Sequence, residues 1–259
     1  MRYRVLLLSF MVALLMAGNA SAYDFGTNIT IPDLVSRGSD WYGQQEDQEV
    51  EPGCQEGQVW DLEAFFLNGT TLTMVGGFDF ENGYGGYASG DIFIDVDGNA
   101  VYGPANEGTG HHNSVLNSTF GYDYVLDLDF SNKTYSVYEL TGESTTIAVK
   151  ERINQESNAW RYNDGGNALD GFQNVAMSYW AGLSDSDVGG FNGGTHHAAA
   201  VNLGFLAPGT EFTSHSTMQC GNDNLMGRGT TAPEPASMLL LGSGLIGLAG
   251  LSRKKCRKG

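Results

Sequence analysis

The chain has 259 residues, with 13 basic and 30 acidic residues and a formal net charge of −17 at pH 7. Such an acidic surface repels phosphate backbones, which argues against nucleic acid as a partner and leaves cations or neutral polar surfaces such as glycans. Simple solubility outside the cell accounts for the charge equally well. The length is sufficient for one sizeable core.

The N-terminus has the three parts of a secretory signal peptide over residues 1–22. Two arginines form the positive flank, residues 5–17 form an apolar run, and Ala20-Ser21-Ala22 supplies the small residues that signal peptidase requires. The run is shorter than the roughly 20 apolar residues of a membrane-spanning helix. We therefore predict export, with signal peptidase as a partner and Tyr23 as the mature N-terminus.

The whole chain contains 37 glycines. The body, residues 23–229, shows little helical periodicity, and apolar and polar residues alternate in it repeatedly. This alternation predicts strands at 59–67, 70–75, 91–96, 122–130, 134–140, 145–149, 175–180, 198–205 and 211–218. Many short strands with Gly-rich turns are typical of a sandwich. We predict an all-β, antiparallel β-sandwich domain with jelly-roll-like connections and long Gly-rich loops.

Turn residues predict how two pairs of strands are joined. Asn68-Gly69 predicts a hairpin between the first two strands. Asp97-Gly98-Asn99 predicts a second hairpin, leading into a short strand at 100–102. Residues 103–120 form a candidate functional loop, and residues 226–235 are predicted to be a linker.

The C-terminal segment, residues 230–259, has its own tripartite pattern. Pro233-Glu234-Pro235 precedes an uncharged apolar run, and five basic residues follow it within the last seven positions. We predict a transmembrane segment over 236–252, with the basic tail on the cytoplasmic side of the inner membrane and the body outside.

This order of motif, apolar run and basic tail closely resembles the PEP-CTERM sorting signal of Gram-negative bacteria. The resemblance implies that exosortase, a membrane cysteine peptidase-transferase, is a partner and cuts near Pro233, Glu234 and Pro235. It implies a transient inner-membrane anchor, followed by placement at the cell surface or in the extracellular matrix. Residues 196–223 also resemble the closing stretch of many exosortase-dependent proteins of unknown role. The resemblance predicts sorting and place, not chemistry.

Two cysteines lie in the exported body, where disulfides persist. We predict that Cys54 and Cys220 pair and close most of the domain into one loop. Cys256 lies in the basic tail, on the reducing side, and is left out of this pairing.

Six aspartates on two predicted strands are candidate calcium ligands: Asp91, Asp95, Asp97, Asp123, Asp127 and Asp129. If the strands are neighbours, their carboxylates repel one another, and a cation would relieve the repulsion. Residues 95–99 also resemble the start of a calcium loop, but Ala100 and Asn106 stand where an EF-hand needs Gly and Glu. A strand followed by a turn explains the same residues without metal, so no cofactor is required.

Aromatic residues suggest where a sugar ring could stack. Trp41 and Trp160 lie near polar loops and are the candidates, whereas Trp60 and Trp180 lie in predicted strands and are expected in the core. Adjacent histidines on one strand point to opposite faces, which disfavours a transition-metal site at His196-His197. There is no Gly-x-Ser-x-Gly motif for nucleophilic catalysis.

These patterns favour a non-enzymatic protein of the cell surface or matrix that binds extracellular polysaccharide. A secreted carbohydrate-active hydrolase on the same fold is the alternative, because acidic residues that could serve as its carboxylate pair are abundant. A purely structural coat protein is a third hypothesis.

Overall fold

The structure, a computed structural model, describes residues 23–31, 46–48, 50, 54–101, 112–150 and 158–232. The predicted signal peptide, Trp41, the sorting motif Pro233-Glu234-Pro235 and the expected membrane segment at 236–252 lie outside these residues. Within the described ranges, no helix is both long enough and apolar enough to cross a membrane.

The described residues form short strands joined by turns, with two 3-10 turns at Gln58–Trp60 and Asn117–Thr119. The strands are β1 (Thr27–Asn28), β2 (Thr30–Ile31), β3 (Leu62–Asn68), β4 (Thr71–Gly76), β5 (Ile92–Asp95), β6 (Ser114–Leu116), β7 (Tyr124–Asp129), β8 (Thr134–Glu139), β9 (Thr145–Ile147), β10 (Arg161–Asp164), β11 (Asn167–Ala168), β12 (Val175–Ala176), β13 (Ser178–Leu183), β14 (His196–Asn202), β15 (Glu211–Thr217) and β16 (Asn224–Thr230).

These strands assemble into antiparallel sheets, which confirms the predicted all-β antiparallel fold class. A five-stranded sheet has the order β1-β3-β4-β14-β13. An eight-stranded sheet has the order β11-β8-β7-β5-β15-β16-β2, with β12 also paired to β8. A small third sheet has the order β10-β9-β6. The chain crosses between the two large sheets, for example from β4 to β5 and from β14 to β15.

The main core lies between the two large sheets. Phe65 and Met74 of the five-stranded sheet and Ile92, Leu126 and Leu225 of the eight-stranded sheet belong to one buried cluster and are at most 1% exposed. Each of these side chains contributes roughly 1.5–3 kcal/mol through burial. The period-two alternation of the strands therefore has its expected cause, because alternate residues face this core.

The opposite face of the eight-stranded sheet is also covered. Phe93 of β5 and Val125 of β7 are fully buried against Phe120 and Tyr122, with Val115 of β6 packed beside them. The third sheet thus lies over β5 and β7 and shields part of that face from water. Of the aspartates predicted as calcium ligands, Asp91 and Asp95 are buried, Asp123 and Asp127 are half-buried, and Asp97 and Asp129 are exposed.

One predicted hairpin is confirmed and the other is wrong. β3 and β4 pair directly across Asn68-Gly69, with Gly69 at φ 64°. Asp97-Gly98-Asn99 does turn the chain, but β5 pairs with β7 and β15, and residues 100 and 101 form no strand.

The predicted linker at 226–235 is also wrong over its first residues, because Asn224–Thr230 is β16, a strand between β15 and β2. Its glycines have a packing cause. A Cβ on Gly227 would lie 3.0 Å from Phe65 Cβ, and one on Gly229 would lie 2.9 Å from Leu67 Cδ2. The two large sheets approach closely here, and only glycine leaves room.

Candidate functional site

The two aspartate-bearing strands are neighbours, as the calcium hypothesis requires. β5 pairs with β7 in a register that sets Ile92 opposite Leu126 and Ile94 opposite Tyr124. Extending this register by one pair in each direction sets Asp91 opposite Asp127 and Asp95 opposite Asp123. The six candidate ligands do not form one site, however. They separate into three places with different surroundings.

Three of the aspartates converge at one end of β5. Asp95, Asp97 and Asp123, here called the aspartate cluster, each offer a carboxylate oxygen, and these oxygens lie within 4.8 Å of one another. Asp95 is buried, Asp123 is half-buried and Asp97 is exposed. The cluster is therefore reachable from solvent at one side.

Backbone N–H groups hold the carboxylates of the cluster in place. The N–H of Val96 donates to Asp123 Oδ2 at 2.6 Å, and that of Gly98 donates to Asp95 Oδ1 at 2.8 Å. The N–H of Asn99 donates to Asp97 Oδ1 at 3.1 Å. The sequence Asp-Val-Asp-Gly-Asn folds this way because Asp side chains readily accept from N–H groups two or three residues along a turn.

Like charges are concentrated in this cluster. Burial raises the pKa of Asp123, and the nearby carboxylates of Asp97 and Asp95 raise it further, although the N–H of Val96 opposes the shift. Each additional negative charge here is costly. Hard carboxylate oxygens in such a set are the ligands that Ca²⁺ prefers.

The aspartate cluster opens onto a cleft of about 210 Å³ between β5 and the end of the β15–β16 hairpin. Thr213 of β15 pairs with Asp95 on one side and with Arg228 of β16 on the other. Glu211 also lines the cleft. The cleft thus combines the cluster with one further acid and one guanidinium, all polar groups suited to hydroxyl-rich ligands.

Asp91 and Asp127 lie apart from this cluster, at a place where the bonds of Asp91 hold two strands together. Asp91 is fully buried, and its two oxygens accept from the backbone N–H groups of Leu128 at 3.0 Å and Tyr162 at 2.8 Å. Arg161 Nε lies 3.7 Å from Asp91 Oδ1. Burial raises the pKa of Asp91 to about 7, with Arg161 opposing and Asp127 adding to the rise. Asp91 thereby joins β10 to β7.

Asp129 serves a turn. Its oxygens accept from the backbone N–H of Asn132 at 3.0 Å and from Asn132 Nδ2 at 2.7 Å, between β7 and β8. The bonds from Asn132 lower the pKa of Asp129. Its side chain is thus used by its own hairpin.

The predicted sugar-stacking role of Trp160 does not fit its surroundings. Trp160 is 6% exposed, its Nε1 donates to Ser89 O at 3.0 Å, and the ring of His112 stacks on it with centroids 4.9 Å apart. Little of its ring is left for a ligand. Trp41 lies outside the described residues, so its role stays a prediction.

Trp180, expected in the core, instead lies half-buried on the outer face of the five-stranded sheet. Tyr179 points into the main core, so Ser178 and Trp180 must point outward. The alternation in residues 178–180 carried this signal, but an apolar aromatic in a strand suggested burial.

A buried charged cluster was missed altogether. His196 Nδ1 lies 2.8 Å from Glu63 Oε1, and His196 Nε2 lies 3.0 Å from Asp185 Oδ1. His196 and Glu63 are fully buried, and His197, expected to be exposed if His196 is not, is buried as well. Gln58 Nε2 donates to Glu63 Oε1 at 2.7 Å.

The nearby carboxylates of Asp47 and Asp61 accept from the backbone N–H groups of Asn192 and Gln48, respectively. The three carboxylates of Glu63, Asp47 and Asp61 thus each accept at least one hydrogen bond from a nitrogen donor.

The structure places the two cysteine-bearing segments side by side. Gln55 N donates to Asn222 Oδ1 at 2.8 Å, and Asn222 Nδ2 donates to Gln55 O at 2.9 Å. Cys54 is half-buried and Cys220 is buried. The described structure contains no disulfide bond between them. Their pairing therefore stays a prediction.

Comparison with known proteins identifies one region. Residues 231–254 match the family model described as the PEP-CTERM protein-sorting motif. No curated protein and no solved structure matches the chain. The resemblance at the C-terminus is thus confirmed. The match covers the sorting segment and leaves the β-sandwich domain unmatched. The chain therefore carries a PEP-CTERM sorting motif, which implies export, processing by exosortase and sorting to the cell surface.

Proposed function

We propose that the mature protein is a non-enzymatic component of the cell surface or extracellular matrix that binds extracellular polysaccharide, with calcium held by the aspartate cluster. The observation that supports this proposal is the convergence of Asp95, Asp97 and Asp123 beside an open polar cleft. Burial and then the neighbouring carboxylates raise the pKa of Asp123, and a cation there would relieve the repulsion between these carboxylates.

The geometry suits a bound ion that is shared with a ligand. Ca²⁺ takes six to eight oxygen ligands, and three carboxylates leave several positions for water or for ligand oxygens. Sugar hydroxyl groups are such oxygens, and the cleft beside the cluster supplies Glu211 and Arg228 to accept from and donate to them.

The test is co-sedimentation of the mature protein, recovered from the cell surface, with the producer's own extracellular polysaccharide. It is run with calcium and then with chelator. Asp97→Asn is compared with Asp129→Asn, a matched control because both aspartates are exposed and both accept from a nearby asparagine. We expect chelator and Asp97→Asn to abolish binding and Asp129→Asn to leave it unchanged.

Two results would contradict the proposal. Binding that is insensitive to chelator and to Asp97→Asn would remove the calcium site. An absence of binding in every condition would leave a structural coat protein or a hydrolase.

The hydrolase alternative is supported by the opposed carboxylates of Asp91 and Asp127, which lie near a cleft of about 370 Å³ lined by Asp127 and Arg161. The raised pKa of Asp91, about 7, is what a general acid would need. Against it, both Asp91 oxygens accept from backbone N–H groups and the side chain is fully buried. Release of reducing ends from the same polysaccharide, lost in Asp127→Asn, would establish this alternative.

A further inference from the structure

A third cleft, of about 190 Å³, lies on the outer face of the five-stranded sheet, whereas the aspartate cluster lies on the eight-stranded sheet. This volume is below the range of roughly 300–1,000 Å³ that is usual for whole small-ligand sites, so the cleft has room for only a small part of a ligand. The cleft is here called the Trp180 cleft, because Trp180 forms one wall.

Small side chains on three neighbouring strands form the floor of the Trp180 cleft. Ser178 of β13 pairs with Ala200 of β14, which in turn pairs with Thr73 of β4. All three line the cleft. Since directly paired residues lie on the same face of a sheet, this row of small residues makes a hollow across the strands.

Aromatic rings form one wall. Trp180 is half-buried and Tyr23 is 45% exposed, and their ring centroids lie 5.7 Å apart. Phe25 packs edge-on against Trp180 at 5.5 Å and is only 7% exposed. Phe25 therefore anchors the two more exposed rings in a fixed arrangement. A ligand would meet them without a large ordering cost.

The polar groups around the cleft are mostly uncharged. Thr71, Ser178 and Asn68 supply hydroxyl and amide groups, and Asp24 supplies the charge. Asp24 Oδ1 accepts from the N–H of Gly26 at 3.1 Å. A site with exposed aromatic rings, hydroxyl and amide groups and one negative charge suits an uncharged ligand with apolar faces and hydroxyl edges.

We propose that the Trp180 cleft binds a neutral sugar ring of an extracellular polysaccharide. The C–H face of the ring would pack on Trp180 and Tyr23, and its hydroxyl groups would bond to Thr71, Ser178 and Asn68. This inference rests on the proposed function and locates a second contact for the same ligand, one that adds affinity to the contact at the aspartate cluster.

The test compares three variants of the full chain, each expressed in the producer and recovered as mature protein from the cell surface. Trp180→Ala removes the wall, and Ser178→Gln fills the floor from an exposed strand position. Tyr84→Ala is the matched control, because Tyr84 is 46% exposed and packs edge-on against Trp60. Affinity for the neutral fraction of the producer's polysaccharide is measured by co-sedimentation with calcium present. Circular dichroism checks folding.

We expect Trp180→Ala to weaken binding about tenfold, in the range of one lost aromatic contact. We expect Ser178→Gln to weaken binding by about the same factor because it fills the floor of the cleft, and Tyr84→Ala to have no effect. Should Trp180→Ala fail to fold, Ser178→Gln decides alone. Wild-type binding with unchanged affinity in Ser178→Gln would overturn this inference and leave the proposed function intact. No binding by the wild-type protein to any fraction would overturn both.

Discussion

His196 and Glu63 meet across an intervening strand. His196 begins β14 and Glu63 lies in β3, yet His196 Nδ1 is 2.8 Å from both carboxylate oxygens of Glu63, and neither side chain is exposed. The strand between them is β4, which ends at Gly76 and continues into Gly77. The absence of a side chain at Gly77 leaves space that Gln58 fills, and Gln58 thereby lies beside Glu63 and His196.

Removing His196 should therefore be costly. His196→Gln leaves Glu63 buried without its partner, and we expect the free energy of unfolding to fall by about 3–5 kcal/mol. Burial lowers the pKa of His196, but the hydrogen bonds that its ring donates to Glu63 and Asp185 outweigh this effect and raise the pKa. The stabilisation is fully present below the ordinary pKa of histidine while Glu63 stays ionised, and it is lost as pH rises through the raised pKa of His196. Burial raises the pKa of Glu63, so protonation of Glu63 in more acidic solution also removes the pair. Thermal unfolding of His196→Gln and the exposed control His112→Gln checks this, and equal losses would contradict it.

Gly77 is expected to tolerate no side chain. A Cβ there would lie 2.0 Å from Gln58 O and 2.4 Å from Gln58 Nε2, so Gly77→Ala must push Gln58 away from Glu63. We expect a loss of about 1–3 kcal/mol from overpacking. Gly142→Ala is the matched control, since the nearest atom to its Cβ would be Ser118 Cβ at 3.5 Å. Urea unfolding measures both, and an unaffected Gly77→Ala would show that Gln58 can move at no cost.

Asp91 predicts a specific dependence of stability on pH. Its pKa is raised from 3.8 in the unfolded chain to about 7, first by burial. The folded state therefore holds a proton that the unfolded state has lost, and stability falls by about 1.4 kcal/mol per pH unit between these values. Above about pH 7 the loss of stability from Asp91 is complete, and its ionisation adds no further pH dependence.

Asp91→Asn isolates this effect because asparagine does not titrate. The variant also places an amide N–H₂ against a backbone N–H of Leu128 or Tyr162, which costs about 1–3 kcal/mol. The wild-type protein should lose stability relative to Asp91→Asn as pH rises from about 4.5 to 7.5. A pH-independent difference between their unfolding free energies would show that Asp91 stays ionised.

Alternation of apolar and polar side chains was enough to predict the strands but not how many layers cover them. The strands that contain Ile92, Ile94 and Leu126 could be predicted because alternate residues on one face are apolar. Phe93 and Val125 on the other face indicated that a second layer covers it, but β6 and β10 are too short and polar to show a pattern. β16 was missed because Gly227 and Gly229, which allow close packing, look like a linker in sequence.

The candidate site shows the same limit. Asp95 and Asp123 became opposed because β5 pairs with β7, and a period-two pattern cannot supply that pairing. Asp129 and Asp97 both end an alternating run of aspartates in the sequence, and only the structure shows that the side chain of Asp129 bonds to the turn at Asn132, away from the aspartate cluster. Glu63 and His196 lie 133 positions apart, so no local pattern joins them.

Cys54 and Cys220 are expected to form a disulfide on export, because the bonds between Gln55 and Asn222 hold their segments together. Reduction should lower the free energy of unfolding by about 2–4 kcal/mol. Mature protein is denatured, alkylated with and without prior reduction, and weighed by mass spectrometry. Alkylation of both cysteines without reduction would contradict the pairing.

The sorting motif predicts the two ends of the mature chain. Protein taken from the surface of wild-type cells should begin at Tyr23 and lack residues 236–259, because signal peptidase and exosortase remove the two apolar segments. Deleting Pro233-Glu234-Pro235 should leave the body attached to its apolar run, which would hold it in the inner membrane.

Deleting the equally short stretch 228–230 would not serve as a control, because it shortens β16. Exchanging Arg253-Lys254-Lys255 for three glutamines is informative instead, because it removes three of the five basic residues that orient the segment. Intact-mass analysis and membrane fractionation measure both variants. A full-length C-terminus on surface protein from wild-type cells would show that exosortase does not process this chain.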